Sequence, residues 1–256
     1  MFTNENLIRR LYPGFGAGAL LAVIIAGTLH TGFAETPATP AFDSPEQAIA
    51  ALYKALNNGD GATVTQLIGP LATTSDTVRD KADRALFIRK YSEMHRLVKQ
   101  SDGTVVLHVG AENWPFPVPL VADHGKWRFD QDAGAQEIVF RRIGENEMTA
   151  IETCRAIAHP DGKTEDASMA EYARKVADAG TPRSEPFHDY YFRAVRTLGG
   201  TAVVAYPAEY GETGIMTFAV TPNGVLYEKD LGPKTPGIAR AITQYRPDRT
   251  WHPAEQ

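Results

Sequence analysis

The chain contains a single cysteine, Cys154, so its fold cannot rest on an intramolecular disulfide or on a cysteine-based zinc or redox site. A hydrophobic core must therefore hold it together, and its 256 residues are enough for one large or two small domains. Cys154 itself shares a helical apolar stripe with Met148, Ile151 and Ile157, which predicts a core position rather than a nucleophile.

Residues 1–34 are typical of a bacterial secretory signal. Arg9 and Arg10 precede the apolar run 14–29, and Gly32-Phe33-Ala34 places small residues at two key positions of a cleavage site. We therefore predict export across the inner membrane, cleavage after Ala34 and a periplasmic or secreted mature chain. The apolar run is shorter than the ~20 residues of a spanning helix. The alternative is a retained anchor, which would be the chain's only membrane contact. General and twin-arginine export both stay open, and no cysteine directly follows the cleavage site to carry lipid.

Charge and histidine placement disfavour several classes of function. The formal net charge is −5 at pH 7, which argues against nucleic acid and against tight binding to anionic lipid. No pair of the seven histidines has metal-ligand spacing, and the predicted mature chain has no nucleophile elbow or phosphate-binding glycine loop. We therefore predict no catalytic residues, no metal and no cofactor. A hydrolase using scattered acid and base groups is an alternative, with these candidates: His95, His108, His188, Glu145 and Glu147.

The first half of the chain predicts helices followed by strands. Ser44, Pro45 and Gln47 form a helix N-terminus, and Asn58-Gly59 ends that helix. Further helices are predicted over 60–67 and 77–98, and strands over 104–109, 116–122 and 127–129, with a turn at 123–126. Pro115, Pro117 and Pro119 remove alternate N–H groups, so their segment is predicted to pair along one side only, as an edge strand or a polyproline-like stretch.

The second half predicts two helices and then a strand meander. The helices are expected over 133–159, with a break near Gly144 and with Glu145-Asn146-Glu147 opening its second part, and over 168–179. Strands are expected over 190–196, 201–206, 214–221 and 225–229. A closing helix from Thr235 would place Ile238, Ile242 and Tyr245 on one face. The predicted fold is thus α+β, with two antiparallel sheets flanked by helices. The predicted domains are a signal peptide (1–34), an N-terminal half (35–131) and a C-terminal half (132–256).

Several residue blocks resemble the bacterial family of exported proteins called domain of unknown function 2950 (DUF2950). The blocks are Phe42-Asp43-Ser44-Pro45-Glu46-Gln47-Ala48, Trp114-Pro115-Phe116-Pro117-Val118-Pro119-Leu120, Gly125-Lys126-Trp127-Arg128-Phe129-Asp130, Arg141-Arg142-Ile143-Gly144-Glu145-Asn146-Glu147, Tyr190-Tyr191-Phe192-Arg193, Ala205-Tyr206-Pro207-Ala208-Glu209-Tyr210-Gly211, Gly214-Ile215-Met216-Thr217-Phe218 and Tyr227-Glu228-Lys229-Asp230-Leu231-Gly232. The resemblance implies export and supplies no activity. The chain departs from the family pattern between Ala158 and Phe187. It also lacks an insertion that is common between the strand with Tyr190-Tyr191-Phe192-Arg193 and the strand with Ala205-Tyr206-Pro207.

Two further likenesses concern the fold alone. Residues 42–131 resemble a nuclear transport factor 2-like half, with paired helices before strands. Residues 145–230 resemble a pilin-type head, with a helix against an antiparallel meander. Fold likeness by itself carries no function.

Aromatic side chains are the best indication of a binding surface. They cluster around the first hairpin and along the second sheet, where tyrosines alternate with basic residues. The candidate ligand- or partner-binding residues are Trp114, Trp127, Tyr190, Tyr191, Arg193, Tyr206, Tyr210 and Lys229. The leading hypothesis is a non-catalytic envelope protein that binds another envelope protein, or a small ligand in a concave first half. The alternatives are a periplasmic hydrolase and a pilus or secretion accessory protein.

Overall fold

The computed structural model of the protein describes residues 39–70, 78–158, 167–179 and 185–254. Within these ranges the chain is α+β, with six helices and two antiparallel sheets, which confirms the predicted class. The predicted signal segment 1–34 with its cleavage site, the predicted loop 162–166 and most of the predicted linker 181–186 lie outside the described residues. The chain divides into two compact units between Gly134 and Ala135.

The first unit begins with three helices, α1 (Pro45–Asn58), α2 (Gly61–Ile68) and α3 (Val78–Glu93). The Ser44 hydroxyl accepts the Gln47 N–H, and Gly59 ends α1 with a φ of 69°, as its sequence predicts. The third helix is shorter than predicted. It ends at Glu93, because His95–Lys99 pairs along its whole length with a neighbouring strand. The helical spacing of Met94 and Leu97 gave no sign of this long-range pairing.

The first sheet contains β1 (His95–Lys99), β2 (Val105–Val109), β3 (Trp114–Pro115), β4 (Leu120–Asp123) and β5 (Lys126–Phe129). Its order is β1-β2-β4-β5, with β3 also paired to β2. One sheet face packs against the helices in a single core, whose largest fully buried members include Leu52, Leu67, Leu107, Leu120 and Phe129. His124 and Gly125 both have positive φ, 49° and 77°, which is the hairpin turn geometry that matches strand twist.

The alternating prolines behave as an edge between Trp114 and Pro119. Phe116 donates its N–H to the Leu107 carbonyl at 2.7 Å, which is the side facing β2. Phe116, Val118 and Leu120 are buried in the core, and the intervening prolines are half-buried. One-sided pairing is therefore confirmed as far as Val118. It ends at Pro119, whose carbonyl accepts the Asp130 N–H at 2.9 Å, and from Leu120 the strand β4 pairs with both β2 and β5.

The second unit contains most of α4 (Gln131–Ala158) and all of α5 (Ala167–Ala179) and α6 (Thr235–Ala241). The break predicted near Gly144 is absent, and Glu145-Asn146-Glu147 lies within α4 rather than opening a helix. A helical glycine costs only about 1 kcal/mol, and Gly144 is buried, so packing offsets that cost.

Cys154 is fully buried, which confirms its core position, and burial raises the pKa of its thiol to about 12.

The second sheet has the order β10-β9-β8-β7-β6. Its strands are β6 (Tyr190–Thr197), β7 (Gly200–Pro207), β8 (Met216–Val220), β9 (Leu226–Asp230) and β10 (His252–Pro253). One face, here called the inner face, packs against α4 and α5, with Cys154, Tyr172, Phe192 and Phe218 in the shared core. The opposite outer face forms a separate core that includes Val195, Val204, Tyr245 and Trp251. The sheet is therefore a central layer covered on both faces.

The end of the chain differs from the predicted closing helix. Helix α6 stops at Ala241, Ile238 is 42% exposed, and Tyr245 lies beyond the helix in the outer core. The reason is a strand-like contact, because the Tyr245 N–H donates to the Arg196 carbonyl at 2.7 Å. Among the described helices, none combines the length and hydrophobicity needed to span a bilayer.

Candidate functional site

The segment 242–254, called the strap below, covers the outer face of the second sheet. It begins at the β6 side, where Gln244 forms a bridge with Arg196. It ends at the β9 side, where His252 and Pro253 pair with Glu228 and Tyr227. Between these points Tyr245 and Trp251 meet edge to face, with ring centroids 5.1 Å apart, and fill the outer core. The strap therefore crosses the outer face and then adds β10 to the sheet beside β9.

Four of the predicted binding residues lie on the outer face and are engaged by the chain itself. Strand periodicity places Tyr191, Arg193, Tyr206 and Lys229 on the same face as Val195, Val204 and Tyr227. One Arg193 nitrogen donates to the carbonyls of Ala239 and Arg240, at 2.8 and 2.7 Å, which holds the end of α6. The Lys229 ammonium donates to Thr250 Oγ1 and lies 5.8 Å from the centre of the Trp251 ring. These side chains therefore dock α6 and the strap.

Three of the predicted tyrosines, Tyr190, Tyr206 and Tyr210, are buried or hydrogen-bonded within the chain. Tyr190 lies on the inner face, fully buried, and its hydroxyl donates to the Met216 carbonyl at 2.9 Å. Burial also raises the pKa of Tyr190 above its ordinary value. Tyr206 is only 3% exposed. These two side chains therefore stabilise the sheet rather than present a contact surface. Tyr210, beyond β7, donates its hydroxyl to Asp230 Oδ2 at 3.1 Å.

The two predicted tryptophans belong to the first unit. Trp114 is 38% exposed and stands edge-on to Phe116, with ring centroids 6.3 Å apart. Trp127 is half-buried, and its backbone exchanges two hydrogen bonds with Phe42, at 2.8 and 2.7 Å. The predicted set is thus split between the units, with six of its members in the second.

Three polar side chains of α4 hold the loop between β7 and β8, and sequence reasoning did not identify this arrangement. Glu147 Oε1 accepts the N–H groups of Ile215 and Met216 at 2.8 and 2.9 Å. Asn146 donates to the Thr213 carbonyl at 2.9 Å, and Arg142 binds Glu212 through both its carbonyl and its carboxylate. We call these three side chains the α4 clamp. The sequence signal was present, since all three belong to the block Arg141–Glu147.

Close packing beside the clamp leaves no room for a larger residue at Gly214. A Cβ atom placed there would lie 2.7 Å from ring carbons of Tyr190 and even closer to its hydroxyl. The buried ring therefore requires glycine at this point of the loop, and the clamp and Tyr190 together determine the path of the chain into β8.

His188 and Asp189 form a tight turn rather than part of a strand. Their φ angles are 45° and 62°, and the flanking Phe187 and Tyr190 exchange backbone hydrogen bonds at 2.8 and 3.1 Å. Non-glycine residues adopt this conformation at a cost, so the surroundings must hold it. Asn146 supplies one such contact, donating to Asp189 Oδ2 at 3.2 Å. The turn directs His188 to solvent, with its ring edge-on to Phe187.

A shallow depression of 390 Å³ opens beside the free edge of β6. Its lining residues are Arg193–Arg196, Thr201, Ile242 and Thr243. Arg193 and Arg196 are three positions apart, so they lie on opposite faces of the strand and flank its edge. Within the described residues, the Arg196 guanidinium has no ion-pair or hydrogen-bond partner. This combination of an open strand edge and two flanking cations is the candidate binding site.

Comparison with known proteins confirms the family resemblance. The family model "Protein of unknown function (DUF2950)" matches residues 39–181 and 188–254. The match includes the α4 clamp, the strap and every residue that lines the depression. No curated protein and no solved structure matches the chain.

Replacing Glu147 with alanine should loosen the β7–β8 loop. The change leaves the N–H groups of Ile215 and Met216 without their carboxylate acceptor, at an expected cost of about 2 kcal/mol. Amide hydrogen exchange at these two positions should speed up, and the urea midpoint should fall. The matched control is Glu145→Ala, because Glu145 is exposed. Equal exchange rates in both variants would show that the clamp does not hold the loop.

Replacing Trp251 with alanine should detach the strap. Trp251 is 9% exposed, and removing a buried aromatic ring costs roughly 3 kcal/mol. Limited proteolysis should then cut first between residues 246 and 250, while Arg249→Ala, a change at an exposed position in the same segment, keeps the wild-type pattern. A Trp251→Ala protein with unchanged stability and cleavage would contradict the anchoring role.

Proposed function

The chain belongs to the DUF2950 family, which carries no assigned activity, and we propose that it is an exported, non-catalytic binding protein of the bacterial cell envelope. The observation that carries the proposal is the free edge of β6, flanked by Arg193 and Arg196 in a sheet whose two faces are otherwise covered. Such an edge offers unpaired backbone groups and positive charge to a partner.

The positions of the candidate acid and base groups favour binding over hydrolysis. The Glu147 carboxylate already accepts two backbone N–H groups. His95 and His108 alternate onto opposite faces of the first sheet, since His95 pairs with Val109 and His108 with Arg96. His95 also stacks on Tyr91, with ring centroids 3.8 Å apart. General acid–base catalysis needs such groups within reach of one reacting atom.

The fold of each unit, taken by itself, also indicates where a ligand could bind. Helices on one face of the first sheet agree with a nuclear transport factor 2-like half, and α4 against a meander agrees with a pilin-type head; we propose both as fold likenesses. The space between the helices and the first sheet contains packed side chains, among them Leu52, Leu107 and Phe129. A small-ligand site in a concave first half is therefore less favoured than the edge of β6.

Export with cleavage is tested first, because it separates this proposal from the pilus accessory alternative. The full chain is expressed in a bacterium, and the intact mass and N-terminus of the product are measured. We expect a mature chain that begins at Glu35 and is released with the periplasmic fraction. A product that retains residues 14–29 and stays with the membrane would favour the accessory protein, which needs that helix for assembly.

Binding is tested with the mature protein purified from that fraction. Affinity capture from the periplasm of the source organism should return a reproducible partner, or a panel of small ligands should raise the melting temperature. Any ligand that binds only the folded state stabilises it by mass action. The control is a Trp251→Ala protein, whose loosened strap exposes part of the outer core. It shows how much protein is captured through exposed apolar side chains alone. Turnover of ester, amide or glycoside substrates that is lost in Glu147→Gln and His188→Gln would instead establish the hydrolase.

A further inference from the structure

We infer that the free edge of β6 binds a short extended peptide segment that carries carboxylate side chains. This inference rests on the proposed binding function and names the class of partner. The partner's backbone would pair with the strand edge, and its carboxylates would meet Arg193 and Arg196.

The backbone directions along β6 follow from its two end contacts. Tyr190 exchanges hydrogen bonds with Phe187, on the side away from β7. The Arg196 carbonyl accepts the Tyr245 N–H, at 2.7 Å, on that same side. Because the N–H and C=O of every second residue in a strand point to the same edge, Phe192 and Ala194 also direct theirs away from β7. Among the described residues, no backbone partner occupies these groups. Phe192 is only 1% exposed, however, so Ala194, which is half-buried and lines the depression, provides the accessible N–H and C=O.

The same two contacts limit what can bind. Tyr190 and Arg196 are six positions apart, about 20 Å in an extended strand. Phe187 and Gln244 occupy the two ends of this edge, and Phe192 is buried, so the accessible part is the four residues 193–196 that line the depression. A long strand from another sheet would collide with both neighbours, and a short segment that enters and leaves the edge would not.

Charge selects an acidic segment. The chain as a whole is acidic, with a net charge of −5, yet the depression contains two arginines and no carboxylate. Side chains of a bound strand project alternately to the two faces of the sheet. Two side chains three positions apart in the segment would therefore approach Arg193 on the outer face and Arg196 on the inner face. The small side chain of Ala194, between them, leaves the edge accessible.

The test follows the amide signal of Ala194 in the isotope-labelled mature protein by NMR. The probes are acetyl-Glu-Val-Val-Glu-amide, whose two carboxylates project to opposite faces of an extended segment, its lysine counterpart acetyl-Lys-Val-Val-Lys-amide, and sodium acetate. We expect a saturable shift of this amide with the glutamate peptide, and roughly tenfold weaker binding or none with the lysine peptide. Equal binding of the two peptides would overturn the inference, as would acetate producing the same shifts at the same midpoint, which indicates a simple anion site.

Two variants separate charge from backbone pairing. Arg196→Glu should weaken the glutamate peptide roughly tenfold or more, whereas Arg155→Glu, the same change at an exposed position of α4, should leave it unchanged. Ala194→Pro removes only the outward N–H and keeps the bonds to β7, so it should also abolish binding in a folded protein. If this variant does not fold, Arg196→Glu and the peptide comparison still decide the outcome.

The remaining outcomes are also decisive. A concentration-dependent dimer that breaks on Ala194→Pro would assign the edge to a second copy of the chain and overturn the peptide inference. No shift with either peptide would overturn it as well. If the periplasmic partner is still captured by Arg196→Glu and Ala194→Pro, the proposed binding function stands and its site lies elsewhere.

Discussion

Burial of Tyr245 and Trp251 on the outer face of the second sheet is the contact on which the arrangement of that unit depends. A sheet with apolar residues on both faces needs cover on both, and only one face meets helices α4 and α5. Helix α6 and the strap supply the other cover, and the strap contributes two aromatic rings. Because α6 is short and the strap is narrow, the edge of β6 is accessible beside Ile242 and Thr243. The open edge is thus a consequence of how the outer face is covered.

Polar side chains, rather than aromatic rings, hold the β7–β8 loop in place. The α4 clamp satisfies backbone groups that strand pairing does not reach, and Asn146 also holds the unusual turn at Asp189. Buried polar groups are tolerable only when they have partners. Here the partners come from one helix, so the helix, the loop and the turn are held in a single arrangement. Glu147 contributes to this arrangement by accepting the N–H groups of Ile215 and Met216.

Local signals predicted the elements whose boundaries are set locally. The caps at Ser44 and Gly59 act within one helical turn, and the missing N–H groups of the alternating prolines act on their own strand, so each was readable in order along the chain. The sequence could not predict the end of α3 or the path of the strap, because pairing with residues elsewhere in the chain determines both. The same limit applies to the predicted site. The predicted set combined Tyr191, Arg193, Tyr206 and Lys229 of the outer face with Tyr190 of the inner face, and the sequence could not say that the outer face would be covered.

The sequence by itself determined the α+β class, the core position of Cys154, most of the strands and the family to which the chain belongs. These depend on composition, on periodicity and on motifs that short stretches of chain carry unaided. Only the tertiary structure decided that the aromatic face is occupied by the strap, that Glu147 holds a loop and that Arg193 and Arg196 flank an open edge. The first two are contacts between residues tens of positions apart, and the third depends on which neighbours the fold leaves beside β6. The free energy of such contacts depends on which surfaces the fold has already brought together.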